Sequence, residues 1–220
     1  MNKQLITTLA LVGAATSTMA MLDITLPGTN VESSWTTLNA ETYGNPNYPV
    51  FPTNAYTDPF LAPISAQNGD TTAEFTKTSG GGVFLPEDDG GGTYNLFTPG
   101  SWTVYDTSAI ADLATVVFQV EANAELLPTL NYNSGAQALS ADFSHVGTDF
   151  FAYQWDLSGI GDDITSFEIN WGPSGAHYSI SGLQLNQGDT FAQVVPEPRT
   201  YALIAGLACG ALILMRRQRR

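Results

Sequence analysis

The sequence predicts an all-β ectodomain, an antiparallel β-sandwich of jelly-roll type, set between an N-terminal signal helix and a C-terminal transmembrane helix. Three observations carry this reading. Apolar residues recur with period two in several segments, the mark of strands with one buried face. Those segments are separated by turn signals such as Gly80-Gly81-Gly82, Gly90-Gly91-Gly92 and Pro99-Gly100. Apolar runs frame the chain at both ends, outside the alternating region.

The N-terminal element, residues 1–20, has the build of a secretory signal peptide. Lys3 supplies the positive start, Leu5 to Ala15 the apolar run, and Thr18 and Ala20 the small residues of a cut after Ala20. The run is too short for a good spanning helix. Residues 21–63 follow as an irregular excursion rich in Asn and Pro, with Gly44-Asn45-Pro46-Asn47-Tyr48-Pro49 at its centre. It ends where the β-sandwich core, residues 64–193, begins.

Within that core, Ile164–Trp171 places Phe167, Ile169 and Trp171 on one face and Ser166, Glu168 and Asn170 on the other. Thr115–Ala122 turns Val116, Phe118, Val120 and Ala122 inward. Phe150–Leu157 does the same with Phe151, Tyr153, Trp155 and Leu157. In Tyr178–Leu185 the apolar phase flips at Gly182, which predicts a β-bulge there. Shorter strands are expected over Thr72–Lys77, Gly92–Phe97, Trp102–Asp106 and Thr129–Tyr132. Asn68-Gly69-Asp70 and Asn133-Ser134-Gly135 read as turns, and Thr107–Leu113 as a single helical turn. Many short strands with Gly/Pro turns favour a sandwich, and at this size a jelly roll.

Charge separates the ends from the middle. The 220 residues carry 21 Asp+Glu and 7 Lys+Arg, a net −14. Between Met21 and Pro198 there is one basic residue, Lys77, against all 21 acids, a net −20. Nucleic-acid binding by this region is excluded, because neutralising phosphates takes clustered Lys/Arg. The one cysteine, Cys209, lies in the C-terminal apolar run. The ectodomain therefore has no disulfide, thiolate metal site or cysteine nucleophile.

The last segment, residues 194–220, opens with Val194-Val195-Pro196-Glu197-Pro198, stiffened by its prolines. An apolar, small-residue-rich run follows, read as a transmembrane helix over about 200–215. Sixteen helical residues span roughly 24 Å. Arg216, Arg217, Arg219 and Arg220 close the chain as a cytoplasmic basic anchor, so the acidic domain faces outward. Pro196-Glu197-Pro198, a short apolar helix and a terminal arginine cluster, in that order, resemble the PEP-CTERM sorting domain. The resemblance covers about 26 residues, Val195 to Arg220. Arg199 stands where many members carry Ser or Thr, and Thr200 follows. The resemblance implies an exosortase-type processing enzyme as partner, acting near Pro196-Glu197-Pro198. It implies a Gram-negative-type bacterium that makes exopolysaccharide. It also implies export across the inner membrane, transient anchoring there, and delivery to the cell surface or extracellular matrix.

Catalytic signatures are sparse. Trp171-Gly172-Pro173-Ser174-Gly175 shares only letters with a nucleophile elbow and reads as a turn. His145 and His177 have no metal-binding or catalytic motif around them in sequence, and no Gly-Lys-Ser/Thr follows the glycine triplets. No cofactor is expected. Ca²⁺ is the one ion considered, at the turn acids Glu87-Asp88-Asp89 and Asp162-Asp163. The candidate glycan contacts are Trp35, Tyr43, Tyr48 and Tyr56, aromatics of the Asn/Pro-rich segment expected to face solvent. Trp155 and Trp171 lie on the apolar phase and are expected in the core. The leading functional expectation is a non-catalytic structural or interaction protein of the exopolysaccharide matrix. The alternatives are a carbohydrate-binding module and a polysaccharide-active enzyme.

Overall fold

A computed structural model describes residues 21–36, 38, 63–80, 83–84, 93–95, 100–172 and 178–195. The signal segment with Ala20, the Pro196-Glu197-Pro198 motif, the apolar run at 200–215 and the terminal arginines lie outside these residues. Among the described residues every regular element is a strand, and no helix is long and apolar enough to cross a membrane.

The strands are β1 (Asn30–Trp35), β2 (Ile64–Ser65), β3 (Asn68–Gly69), β4 (Ala73–Gly80), β5 (Val83–Phe84), β6 (Thr93–Asn95), β7 (Gly100–Asp106), β8 (Thr115–Ala122), β9 (Thr129–Tyr132), β10 (Leu139–Ser140), β11 (Phe143–Val146), β12 (Phe150–Asp156), β13 (Phe167–Trp171) and β14 (Tyr178–Gly188). They form two antiparallel sheets. Sheet A runs β11-β12-β8-β14-β1-β3, with β6 also on β14 and β5 on β6; sheet B runs β10-β9-β13-β7-β4-β2.

The inward phases of both sheets meet in one core. Phe75, Trp102, Val104, Leu130, Phe167, Ile169 and Trp171 come from sheet B, and Trp35, Val116, Phe118, Val120, Tyr153, Trp155 and Leu185 from sheet A. Phe75 stacks on Trp102 at 5.5 Å and on Trp171 at 6.1 Å. Phe118 carries the contact across the layers, 5.0 Å from Trp171. Such aromatic pairs contribute about 0.5–1.5 kcal/mol each beyond the area they bury. Polar ties span the same gap. Gln187 of β14 donates to Asp106 of β7 at 2.5 Å, and the Trp35 indole of β1 donates to the Ile64 carbonyl of β2 at 2.9 Å. The Trp155 indole finds the Leu139 carbonyl at 3.0 Å, and the Tyr153 hydroxyl the Leu126 carbonyl at 2.8 Å. These buried polar tips are therefore paired, which offsets the penalty of desolvating them.

The alternating segments form strands in the expected phase, and the pairing of β14 with β8 shifts register between Ile180 and Gly182. Asn133 and Ser134 take φ of 50° and 57°, as a tight turn requires. Three expectations need correction. Thr107–Leu113 is not helical: Asp106 holds the Ser108 N–H at 2.8 Å, and Asp112 takes a left-handed φ of 56°, which a helix does not allow. Asn68-Gly69 is more than a turn, since it pairs as β3 with Ser33-Ser34. The segment 21–63 is not irregular throughout, because β1 pairs over six residues with β14, from Asn30↔Gly188 to Trp35↔Leu183. Its inward phase contains Ser33 before Trp35, so the apolar alternation is weak at exactly one strand's length.

A second, smaller core covers the outer face of sheet A. Ile24 and Leu26 from the N-terminal side and Val195 from the C-terminal side pack on Val117, Phe150 and Ala152. As a result, β12 from Phe150 to Trp155 is buried on both faces.

Candidate functional site: the outer face of sheet B

Among the described residues, the outer face of sheet B is polar and, except at the buried Thr103, half-buried. On β4, β7, β13 and β9 the inward positions are taken by Phe75, by Trp102 and Val104, by Phe167, Ile169 and Trp171, and by Leu130. Period two then turns Glu74 and Thr76, Thr103 and Tyr105, Glu168 and Asn170, and Thr129 and Asn131 outward. Register aligns them. Glu74 lies opposite Tyr105, Tyr105 opposite Glu168, and Glu168 opposite Asn131, a row across four strands. The adjacent row is Thr76, Thr103, Asn170 and Thr129.

The rows are laced together. One oxygen of the Glu168 carboxylate accepts the Asn131 amide at 3.0 Å and the Asn170 amide at 2.9 Å. The Thr103 hydroxyl donates to the Asn170 carbonyl oxygen at 2.5 Å. The Ala138 N–H fixes the other end of Asn131 at 2.7 Å. The Tyr105 hydroxyl donates to Glu74. Burial, and then the hydrogen bond and negative charge of Glu74, push the Tyr105 phenol up to about 12. It is therefore a neutral donor across the physiological range.

Neighbouring strands are about 4.8 Å apart, so Glu74 and Glu168, two strands apart, are separated by about 10 Å along the row. The face thus offers carboxylate oxygens, amides, hydroxyls and one phenol ring at regular intervals. Their mutual bonds hold them in place before a ligand arrives, which lowers the entropic cost of binding. A chain of sugar hydroxyls, each both donor and acceptor, matches such a surface.

The residues singled out by sequence are placed differently. Trp35 is a correction: it is fully buried (0% exposed), and its indole N–H is spent on Ile64, so it offers no stacking platform to a glycan. The cause is β1 itself, which sets Trp35 on the inward face of sheet A. Tyr43, Tyr48 and Tyr56 lie outside the described residues, as do His177 and Glu87-Asp88-Asp89. His145 sits on β11, its ring 5.9 Å from that of Phe150. Asp162 and Asp163 are exposed, and among the described residues no group of three or more His, Cys, Asp or Glu converges in a metal-binding cluster.

The residues of sheet B were visible one strand at a time. Glu168 and Asn170 form the polar phase of Ile164–Trp171, and Glu74 and Tyr105 fall in predicted strands. Their convergence rests on strand order and register, which no local pattern encodes. No protein-family model matches this chain, and no curated protein matches it.

Proposed function

We propose that this chain is an exported, non-catalytic protein of the cell surface or extracellular matrix. On this reading it is sorted through a PEP-CTERM-type tail and contacts exopolysaccharide through the outer face of sheet B. The observation that carries the binding half is the pair of polar rows, Glu74-Tyr105-Glu168-Asn131 and Thr76-Thr103-Asn170-Thr129, cross-linked through Glu74–Tyr105, Glu168–Asn131, Glu168–Asn170 and Thr103–Asn170 on one face of sheet B. The sorting half stands on the order of motif, apolar run and arginines at residues 196–220. An exosortase-type enzyme is the processing partner, and the inner membrane holds the chain before processing.

A jelly roll is the finer fold reading. The pairs β1–β14, β7–β13, β8–β12 and β9–β10 nest inside one another and alternate between the sheets, which supports it. A net charge of −20 keeps such a domain soluble and disfavours collapse onto anionic polymer, leaving specific hydroxyl contacts to provide adhesion. Glu168 already accepts two amides and Glu74 a phenol, an arrangement suited to fixed acceptors.

The test joins cell fractionation to co-sedimentation with the host's exopolysaccharide. The mature protein is expected in the surface or matrix fraction, and Glu168→Ala is expected to weaken sedimentation roughly tenfold, the equivalent of about 1.4 kcal/mol. Recovery only in the cytosol overturns the sorting half. Equal sedimentation of wild type and Glu168→Ala overturns the assignment of the face.

A further inference from the structure

The outer face of sheet A holds both ends of the described ectodomain, each by one buried glutamine. Gln119 of β8 accepts the Leu22 N–H at 2.8 Å and donates to the Leu22 carbonyl at 3.1 Å. Its amide stands in for a neighbouring strand, pairing both backbone groups of one residue. Gln154 of β12 does more. Its carbonyl oxygen accepts the N–H groups of Val194 at 3.0 Å and Val195 at 3.1 Å. Its amide nitrogen donates to the Ala192 carbonyl at 2.7 Å and the Thr115 hydroxyl at 3.2 Å. Apolar contacts finish the attachment. Phe191 stacks on Phe143 at 6.0 Å, and Val195 is fully buried (0% exposed) beside Val117, Phe150 and Ala152.

The strap Phe191–Val195 is therefore part of the fold. The next residues are Pro196-Glu197-Pro198-Arg199, and the apolar run begins at Thr200. Four residues reach at most about 14 Å when extended. A processing enzyme needs an extended stretch of substrate in its cleft, and everything up to Val195 is already held by the domain. Cutting further upstream means lifting the strap, which exposes Phe191 and Val195 and leaves three backbone groups without their Gln154 partners.

Resting on the sorting reading above, we propose that Gln154 is a positioning residue for tail processing: it locks Phe191–Val195 onto sheet A, so that scission falls within Pro196–Arg199 and the strap stays docked on the released domain. The N-terminal side has the same design. The expected cut after Ala20 leaves Met21 as the one residue before the Gln119 clamp. Met21 lies over Gly182, where an added Cβ would meet its methyl carbon at 2.9 Å.

The test uses the full chain in its own host, with the C-terminus of the surface form read by intact-mass spectrometry. Wild type is expected to end at one position between Val195 and Arg199. Gln154→Ala is expected to give ragged ends reaching back into Phe191–Val195, with at least tenfold faster protease cleavage there. Gln119→Ala, the same loss at the other clamp, is expected to fray only the N-terminus, which separates positioning from general destabilisation. Gln154→Glu keeps the acceptor for Val194 and Val195 but sets an oxygen against the Ala192 carbonyl, and is expected to give ends between those of wild type and Gln154→Ala. The wild-type end is decisive even where Gln154→Ala fails to accumulate. A processed wild-type end outside Val195–Arg199 overturns this inference and leaves the sorting reading standing, as does a Gln154→Ala end identical to wild type with equal protease protection. A surface form ending at Arg220 overturns the sorting reading and this inference with it.

Discussion

The outer faces of the two sheets start from the same kind of strand and end differently. On sheet A the outward phase of β8 and β12 carries Val117, Gln119, Phe150, Ala152 and Gln154, and the chain's own ends cover it. On sheet B the outward phase carries Thr, Asn, Glu and Tyr, several of which bind one another, and all but Thr103 stay half-exposed. A covered face requires every polar group beneath it to find a partner, and the two glutamines do so by pairing with backbone. An open face can keep polar groups oriented for something else. The difference teaches that the inner face sets the fold, while the identity of the outer residues decides whether a sheet is closed by its own chain or left for a partner.

The strongest way to break this comparison is to empty the covered side. Phe150→Ala is expected to destabilise by about 3–5 kcal/mol, as large aromatic deletions in packed cores do. Thr129→Ala, on the open rows of sheet B, is expected to stay within about 0.5 kcal/mol. Parallel urea titrations with unchanged slopes check both, and equal losses would mean that the outer face of sheet B contributes as much to stability as the covered face of sheet A. Next comes Gln154→Leu, which keeps the bulk and removes the amide. It leaves the N–H groups of Val194 and Val195 and the Ala192 carbonyl unpaired, for an expected loss of about 2–4 kcal/mol. Thermal melting of the variant beside wild type measures it, and a loss below 1 kcal/mol would show that the strap is held by Val195 and Phe191 alone.

Alkaline titration gives a gentler separation of face from core. Burial raises the phenols of Tyr153 and Tyr178 in the core as well as Tyr105 on the face. In each case the folded state keeps its proton to higher pH than the unfolded chain. The resulting stability is fully present below the ordinary tyrosine value of about 10 and is lost as pH rises through the folded values. For Tyr105 that window closes at about 12. Among these three, phenolate absorbance is expected to show Tyr105 ionising ahead of the core pair, and Tyr105→Phe to remove that one step from the titration. Simultaneous ionisation of all three would mean that the face unfolds together with the core.

Much of the fold was legible because the inward phase is written in large apolar residues. Val116, Phe118 and Val120, and Phe167, Ile169 and Trp171, declare their strands without help. Gly182 declares the register shift through the flip in phase. β1 was not legible, since Ser33 occupies an inward position and the Asn and Pro around it suggest loop. The burial of Phe150, Ala152 and Gln154 was not legible either. It depends on Ile24 and Val195, more than a hundred and about forty residues away from β12, arriving on the same face. The candidate site shares this limit. Glu74, Tyr105, Glu168 and Asn131 are ordinary outward residues until β4, β7, β13 and β9 lie side by side.

The pairing of β1 with β14 also determines how the molecule bears force. Asn30, where β1 begins, lies opposite Gly188, where β14 ends, so the chain enters and leaves this strand pair at the same end. Traction applied between the two chain ends opens the β1–β14 ladder like a zipper, one bond after another, once the straps have yielded. Traction on the C-terminal end alone, with sheet B held fixed, pulls β14 lengthwise between β8 and β1, and the bonds of both ladders share the load. Pulling from that one end therefore meets the stronger direction, and single-molecule pulling in the two geometries is expected to give the higher rupture force for the second.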